Sequence, residues 1–235
     1  MNDKVTGVVL KINDYKENDL ILYVITMDRS FLSFIAKGAK KINGKKHYYE
    51  MCEYEFIIDY KDNKDIYSIK NSKLINSYYD DNDLNSITFK NIFLEMTLKF
   101  KELYEIEMYN NLLFVLKHFK ENKFLLSCLY TSYLLKIAGL TPNVDNCVVC
   151  GNKKVVSISN SLGGFICLNH LNGGDAINVE RLKKFRLINK ASFANYDAIK
   201  DVEFDKNDFY LIANFLIENA DINLKSLKMY KELFD

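Results

Sequence analysis

The chain has 235 residues, enough for one large domain or two smaller ones with cores of their own. Hydrophobic residues make up 49%, charged residues 27% and aromatics 14%, which excludes a disordered chain. A formal net charge of +1 excludes a whole-molecule field for nucleic acid or membrane, so any such role must rest on a local patch.

From the N-terminus, Asp3, Lys4 and Lys11 break up the first residues and no apolar block follows, so no signal peptide is expected. Period-2 alternation dominates up to residue 80. Lys4–Ile12, Leu20–Met27, Phe31–Ala36, Tyr54–Tyr60 and Asp65–Lys70 read as strands, rich in Val, Ile, Tyr and Phe. Polar or glycine-bearing breaks separate them at Asn13–Asp19, Asp28–Ser30, Gly38–Gly44 and Lys61–Lys64. With no helical crossover long enough for a parallel sheet, five short strands predict a small barrel, an OB-fold being the leading candidate.

After the polar stretch Tyr78–Asp83 the period becomes helical. Phe89, Ile92, Phe93, Met96, Phe100 and Leu103 share one helix face, and Tyr109, Leu112, Leu113 and Leu116 share another. Phe124–Ala138 is apolar nearly all round, yet too short and too polar to span a bilayer, so it reads as a core helix closed by Gly139, with Pro142 just beyond. Helical patterns resume at Val179–Asn189, Lys206–Glu218 and Asn223–Phe234, with Asp205 placed to cap the second. The expected architecture is therefore α+β and multidomain: an OB-fold barrel over residues 1–80, then an all-α domain over 81–235 that carries an insertion.

That insertion holds Cys147-Val-Val-Cys150-Gly151 and, sixteen residues further, Cys167-Leu-Asn-His170. A C-x2-C turn aims two thiolates at one point and a C-x2-H turn supplies two more donors, a set that suits tetrahedral zinc. With four positions filled and none left for water, Cys147, Cys150, Cys167 and His170 predict a structural site. A redox dithiol would sit between a strand and a helix, a setting absent here. A zinc hydrolase would need an open coordination position and a general base, and the other histidines are only His47 and His118. Cys52 and Cys128 lie alone and read as core residues. An odd number of cysteines, three of them clustered, is unlike a secreted disulfide framework, so the cytoplasm is the expected compartment.

No acidic residue occurs between Arg29 and Tyr49, a stretch that contains Arg29, Lys37, Lys40, Lys41, Lys45 and Lys46. Clustered ammonium groups bind phosphate by displacing counterions, and Tyr48 and Tyr49 are candidate stacking faces for unpaired bases. The same lysines also suit a solvated loop on a protein–protein adaptor that does not bind DNA. Gly38–Lys46 has one residue too many between its glycines for a P-loop, and lysine where Ser or Thr must hold magnesium, so ATPase chemistry is rejected.

Taken in order, Gly7-Val8-Val9-Leu10 with Asp14-Tyr15-Lys16-Glu17-Asn18-Asp19, the Leu32–Lys41 stretch, Leu134–Pro142 running into Cys147–Gly151, Gly163–Cys167 and Leu224-Lys225-Ser226 resemble the bacterial RecO family of recombination mediators. The resemblance spans nearly the whole chain. It implies an OB-fold followed by a zinc-bearing helical domain, with binding of single- and double-stranded DNA and annealing of complementary strands. It further implies binding to the acidic C-terminal tail of single-stranded-DNA-binding protein (SSB) and, with RecR and in some pathways RecF, loading of RecA, all without hydrolysis or a membrane. By position, Lys37, Lys40 and Lys41 fall in the family's basic segment, and Cys147, Cys150 and Cys167 on its metal hooks. His170 stands where the family usually has cysteine, a chemically acceptable ligand exchange. Lysine replaces arginine at several basic positions, which keeps phosphate affinity but loses bidentate geometry.

Overall fold

The computed structural model describes residues 2–41, 47–59, 66–79 and 83–235. Gly44, Lys45, Lys46, Tyr60, the break at Lys61–Lys64 and Asp65 lie outside the described residues. The chain divides into two compact units, one of Met1–Lys117 with Leu224–Asp235 and the other of His118–Asn223.

The first unit contains a closed five-stranded barrel. Its strands are β1 (Asn2–Tyr15), β2 (Asp19–Thr26), β3 (Phe31–Ala36), β4 (Cys52–Asp59) and β5 (Ile66–Ser77). They close in the order β1-β2-β3-β5-β4, antiparallel except for the β3–β5 pair, as expected of an OB-like barrel. Closure depends on β1, which is long enough to pair with β4 through Asn2–Val8 and with β2 through Gly7–Tyr15. A bulge between Val9 and Lys11 bends it from one partner to the other. At the overlap a Cβ on Gly7 would lie 2.5 Å from Val24 Cγ1 and 2.6 Å from the Ile25 carbonyl oxygen, so the crossing admits only glycine.

Alternation places Val5, Val9, Leu22, Val24, Phe34, Phe56 and Ile58 inside the barrel. Phe34 and Phe56 meet edge to face at 4.8 Å. Cys52 and, in the other unit, Cys128 are buried as expected. The strand reading ends too early for β5. Asn71-Ser72-Lys73 breaks the apolar alternation, yet the backbone continues to Ser77 because β4 supplies its hydrogen-bond partners, with bulges at Glu53/Tyr54 and Ile57/Ile58.

The described residues of this unit also form the α-helices α1 (Leu84–Lys99), α2 (Ile106–His118, whose last residue the unit boundary excludes) and, beyond the inserted residues, α7 (Lys225–Phe234). Asp83 caps α1, accepting from the Ser86 N–H at 3.0 Å. The Lys90 ammonium, almost fully buried in α1, donates to the Tyr78 carbonyl at 2.8 Å. The Tyr109 hydroxyl of α2 donates to Glu53 of β4 at 2.8 Å, and that carboxylate also accepts from Asn76 Nδ2 at 2.7 Å. Burial first, and then the Glu53 carboxylate, push the Tyr109 pKa far above its ordinary value, so the phenol remains a donor. Glu95 of α1 accepts from the Lys225 and Ser226 N–H groups, so a side chain of α1 caps α7, and Phe89 meets Tyr230 edge to face at 4.8 Å.

The second unit is built round α3 (Lys123–Ile137), buried on nearly every side, with α4 (Val179–Lys190), the short α5 (Tyr196–Ile199) and α6 (Lys206–Asn219). Gly139, at φ +70°, ends α3 with the Leu140 N–H returning to the Leu135 carbonyl at 2.8 Å, the bond expected of a Schellman turn. Asp205 caps α6 as expected, in a reciprocal arrangement in which Asp208 accepts from the Asp205 N–H. A two-stranded hairpin, β6 (Val155–Ser159) and β7 (Gly164–Cys167), carries the cysteine segment. No helix among the described residues is long and apolar enough to cross a membrane.

Gly7→Ala should lower stability by about 1–3 kcal/mol, the usual cost of overpacking, with a matching fall in urea midpoint and melting temperature. An unchanged melting temperature would show that the β1–β2 crossing can relax.

Candidate nucleic-acid interface and metal centre

Strand pairing determines where the basic segment lies. Because β3 runs antiparallel to β2, the chain leaving β3 after Ala36 emerges beside the β1–β2 turn. The two turns are fastened together. The Gly38 N–H donates to Asp19 Oδ1 at 2.8 Å, the Lys40 N–H to the Asn18 carbonyl at 3.1 Å, and Lys40 Nζ pairs with Asp14 Oδ2 at 3.0 Å. The Lys41 N–H returns to the Gly38 carbonyl at 3.2 Å, and Gly38 sits at φ +67°, where glycine is favoured.

The structure thus brings Lys37, Lys40 and Lys41 together at one end of the barrel, all exposed. Arg29 lies in the β2–β3 turn, where Asp3 holds it at 2.9 Å and Asp28 at 3.6 Å. Lys45 and Lys46 lie outside the described residues. One expectation is corrected. Tyr48 is only 6% exposed, its ring packs 5.5 Å from Tyr54 in the barrel core and its hydroxyl meets Ser72 Oγ at 2.9 Å, so it presents no stacking face. Its neighbour Tyr49 is 56% exposed and keeps a free ring face. Sequence reasoning missed Asp14, Asp19 and Lys16 as parts of this surface. The signal was available, because β1, β2 and β3 in succession oblige the break at Asn13–Asp19 to lie beside the segment after Ala36.

In the second unit, Cys147, Cys150, Cys167 and His170 place their donor atoms within 4.8 Å of one another. Cys150 Sγ lies 3.7 Å from Cys167 Sγ, Cys147 Sγ 3.6 Å from His170 Nδ1, and Cys167 Sγ 3.3 Å from the same nitrogen. Tetrahedral metal–sulfur bonds of about 2.3 Å require sulfurs roughly 3.8 Å apart, so the donor set fits a four-coordinate metal. Local backbone builds the hooks. The Gly151 N–H returns to the Cys147 carbonyl at 2.8 Å with Gly151 at φ +73°, and the Val148 N–H donates to Phe165 of β7 at 2.9 Å. A Cβ on Gly164 would lie 2.3 Å from the Asn143 carbonyl oxygen, whose chain runs directly against it.

Burial opposes ionisation of the Cys147 thiol, but the backbone N–H groups of Cys167, Cys150 and Val149 outweigh it and bring the pKa down to about 6. For Cys150 the Asn152 N–H favours the thiolate, while desolvation and the adjoining Cys167 and Cys147 sulfurs prevail and raise the pKa. A cation at the centre of the four donors would offset this crowding of negative sulfur.

An OB-like barrel with a lysine-bearing turn, followed by helices that hold a four-donor Cys/His knuckle, defines a class of two-part proteins. Residues 1–78 match the family model "Recombination protein O N terminal", and residues 82–227 match "Recombination protein O C terminal". The chain belongs to the recombination protein O (RecO) family, and its role lies in DNA repair and recombination. It is 28% identical over 248 residues to the DNA repair protein RecO of Clostridium perfringens, covering 96% of each chain. Against that of Lactobacillus acidophilus it is 25% identical, covering 98% of this chain and 96% of the relative.

Cys150→Ser should lower tightly bound metal measured by elemental analysis of the purified protein, and Gly164→Ala should do the same by displacing β7 from Asn143. Full metal content and an unaltered melting temperature in Cys150→Ser would exclude the four-donor assignment.

Proposed function

We propose that the protein is a non-enzymatic recombination mediator, active in the cytoplasm at the nucleoid. It binds single- and double-stranded DNA, anneals complementary strands and, together with RecR and in some settings RecF, helps RecA onto strands coated by SSB, whose acidic tail it recognises. Family membership and the turn that gathers the exposed Lys37 and Lys41 at one end of the barrel support this reading. The barrel with its basic segment, residues 1–80, supplies the DNA surface, including Lys45 and Lys46. Arg29 contributes less, since Asp3 and Asp28 neutralise its charge. The helical part, residues 81–235, carries zinc at Cys147, Cys150, Cys167 and His170. The metal supplies a structural cross-link between the knuckle and β7, and the four protein donors leave no position for a reacting water. Holding two strands, or one strand and an SSB tail, on one molecule raises their effective concentration and lowers phosphate repulsion, so annealing accelerates without a chemical step.

The test is annealing of two complementary oligonucleotides pre-coated with SSB, with and without the protein. Acceleration that fades with salt is expected, and Lys37→Glu combined with Lys41→Glu should weaken bare-strand binding by on the order of tenfold at low salt. A folded, metal-loaded sample that binds no bare strand would overturn this reading in favour of a protein–protein adaptor.

A further inference from the structure

We propose that Lys16, Lys37 and Lys41 form a seat for one backbone phosphodiester of a nucleic-acid strand, while Lys40 is a positioning residue that shapes the seat without touching the strand. The inference rests on the DNA-binding reading above and specifies its contact.

A cleft of about 440 Å³ opens between the two fastened turns, lined by Lys16, Glu17, Asn18, Asp19, Lys37, Gly38 and Lys41. No apolar side chain lines it, which disfavours a greasy peptide or a stacked base and suits a sugar–phosphate segment. Lys16, Lys37 and Lys41 are exposed, and none forms an ion pair with a described residue. Three ammonium groups around one cleft repel each other until an anion enters.

The carboxylates nearby are unequally available. Asp19 is engaged by the Gly38 N–H and Asp14 by Lys40, which leaves Glu17 as the acid in the cleft without an ion-pair partner among the described residues. Lys40 is therefore distinguished from its neighbours. Its ammonium is spent on Asp14 and its N–H on Asn18, so both ends of the residue join the β3 exit to the β1–β2 turn. The Lys41 stem lies over Gly38, where a Cβ would approach Lys41 Cδ and Cε at 3.7 and 3.8 Å. Lys16, at φ +53°, occupies the turn on the other side, so the cationic groups approach the cleft from both walls.

The experiment is binding of a fluorescent oligothymidylate to the full chain, followed by anisotropy across a salt series. Each phosphate contact contributes about 0.7 to the slope of log affinity against log salt for a single strand. Because the three lysines share one phosphodiester, Lys16→Ala, Lys37→Ala and Lys41→Ala should each weaken binding at low salt and reduce the slope by part of that amount, and the triple variant should reduce it by about 0.7 in all. Lys40→Met, which keeps the aliphatic stem, should leave the slope unchanged, and Glu17→Gln should tighten binding at low salt by roughly twofold or more. A Lys40→Met slope that falls as far as those of its neighbours, or a Lys16→Ala slope equal to that of the native protein, would overturn the seat while DNA binding itself stood. Failure of the native protein to bind the strand at low salt would remove both readings. Matching melting temperatures of the exposed-lysine variants separate a lost contact from a lost fold.

Discussion

Glu53 is the point at which barrel and helices of the first unit are joined. A carboxylate only 8% exposed is costly to bury unless donors surround it, and here Tyr109 and Asn76 supply them, with Tyr78 more distant at 3.4 Å. The Tyr78 phenol, pushed up to about 12 by burial and then by the Glu53 charge, stays protonated alongside Tyr109. One side chain on the outer face of β4 thus specifies where β5 ends, where the chain turns after the barrel and how α2 sits against it. Tyr104 reinforces the arrangement by donating to the Thr26 carbonyl at 2.8 Å, at the β2–β3 turn.

Local period made much of this visible beforehand. Strands β1 to β4 and the long helices stand close to where alternation and 3.6-residue spacing put them, because each buries a face that its own sequence defines. The end of β5 was hidden, since Asn71, Ser72 and Lys73 lie in a strand held by its neighbour's backbone rather than by apolar burial. Nor does a period name a partner. The pattern over Asn223–Phe234 announces an amphipathic helix, but it takes contacts such as the Glu95 cap and Phe89–Tyr230 to reveal that it packs on α1. The pattern change at residue 80 and the compact units consequently divide the chain differently, one following local period and the other tertiary contact.

The two sites differed in legibility for the same reason. The Cys/His hooks are short-range objects: the C-x2-C and C-x2-H spacings fix each pair of candidate donors, and the hairpin needs only to bring the pairs together. The basic surface is a long-range object. Its sequence is free of acid from Arg29 to Tyr49, yet in the fold Asp3 and Asp14 of β1 and Asp19 at the start of β2 arrive and claim some of its donors. Tyr48 illustrates the same limit, since the barrel interior claimed a ring that the sequence offered to solvent.

The return of α7 to α1 makes the first unit discontinuous, with His118–Asn223 inserted between its two pieces. During vectorial synthesis the barrel, α1 and α2 leave the ribosome before the inserted unit, but the partner that covers Phe89 and accepts the Glu95 cap emerges only after it. The inserted unit has its whole sequence available before that helix is made. Completion therefore runs opposite to chain order for these two bodies: the part begun second can finish first, and the face of α1 waits uncovered until the helix beyond the inserted unit is made.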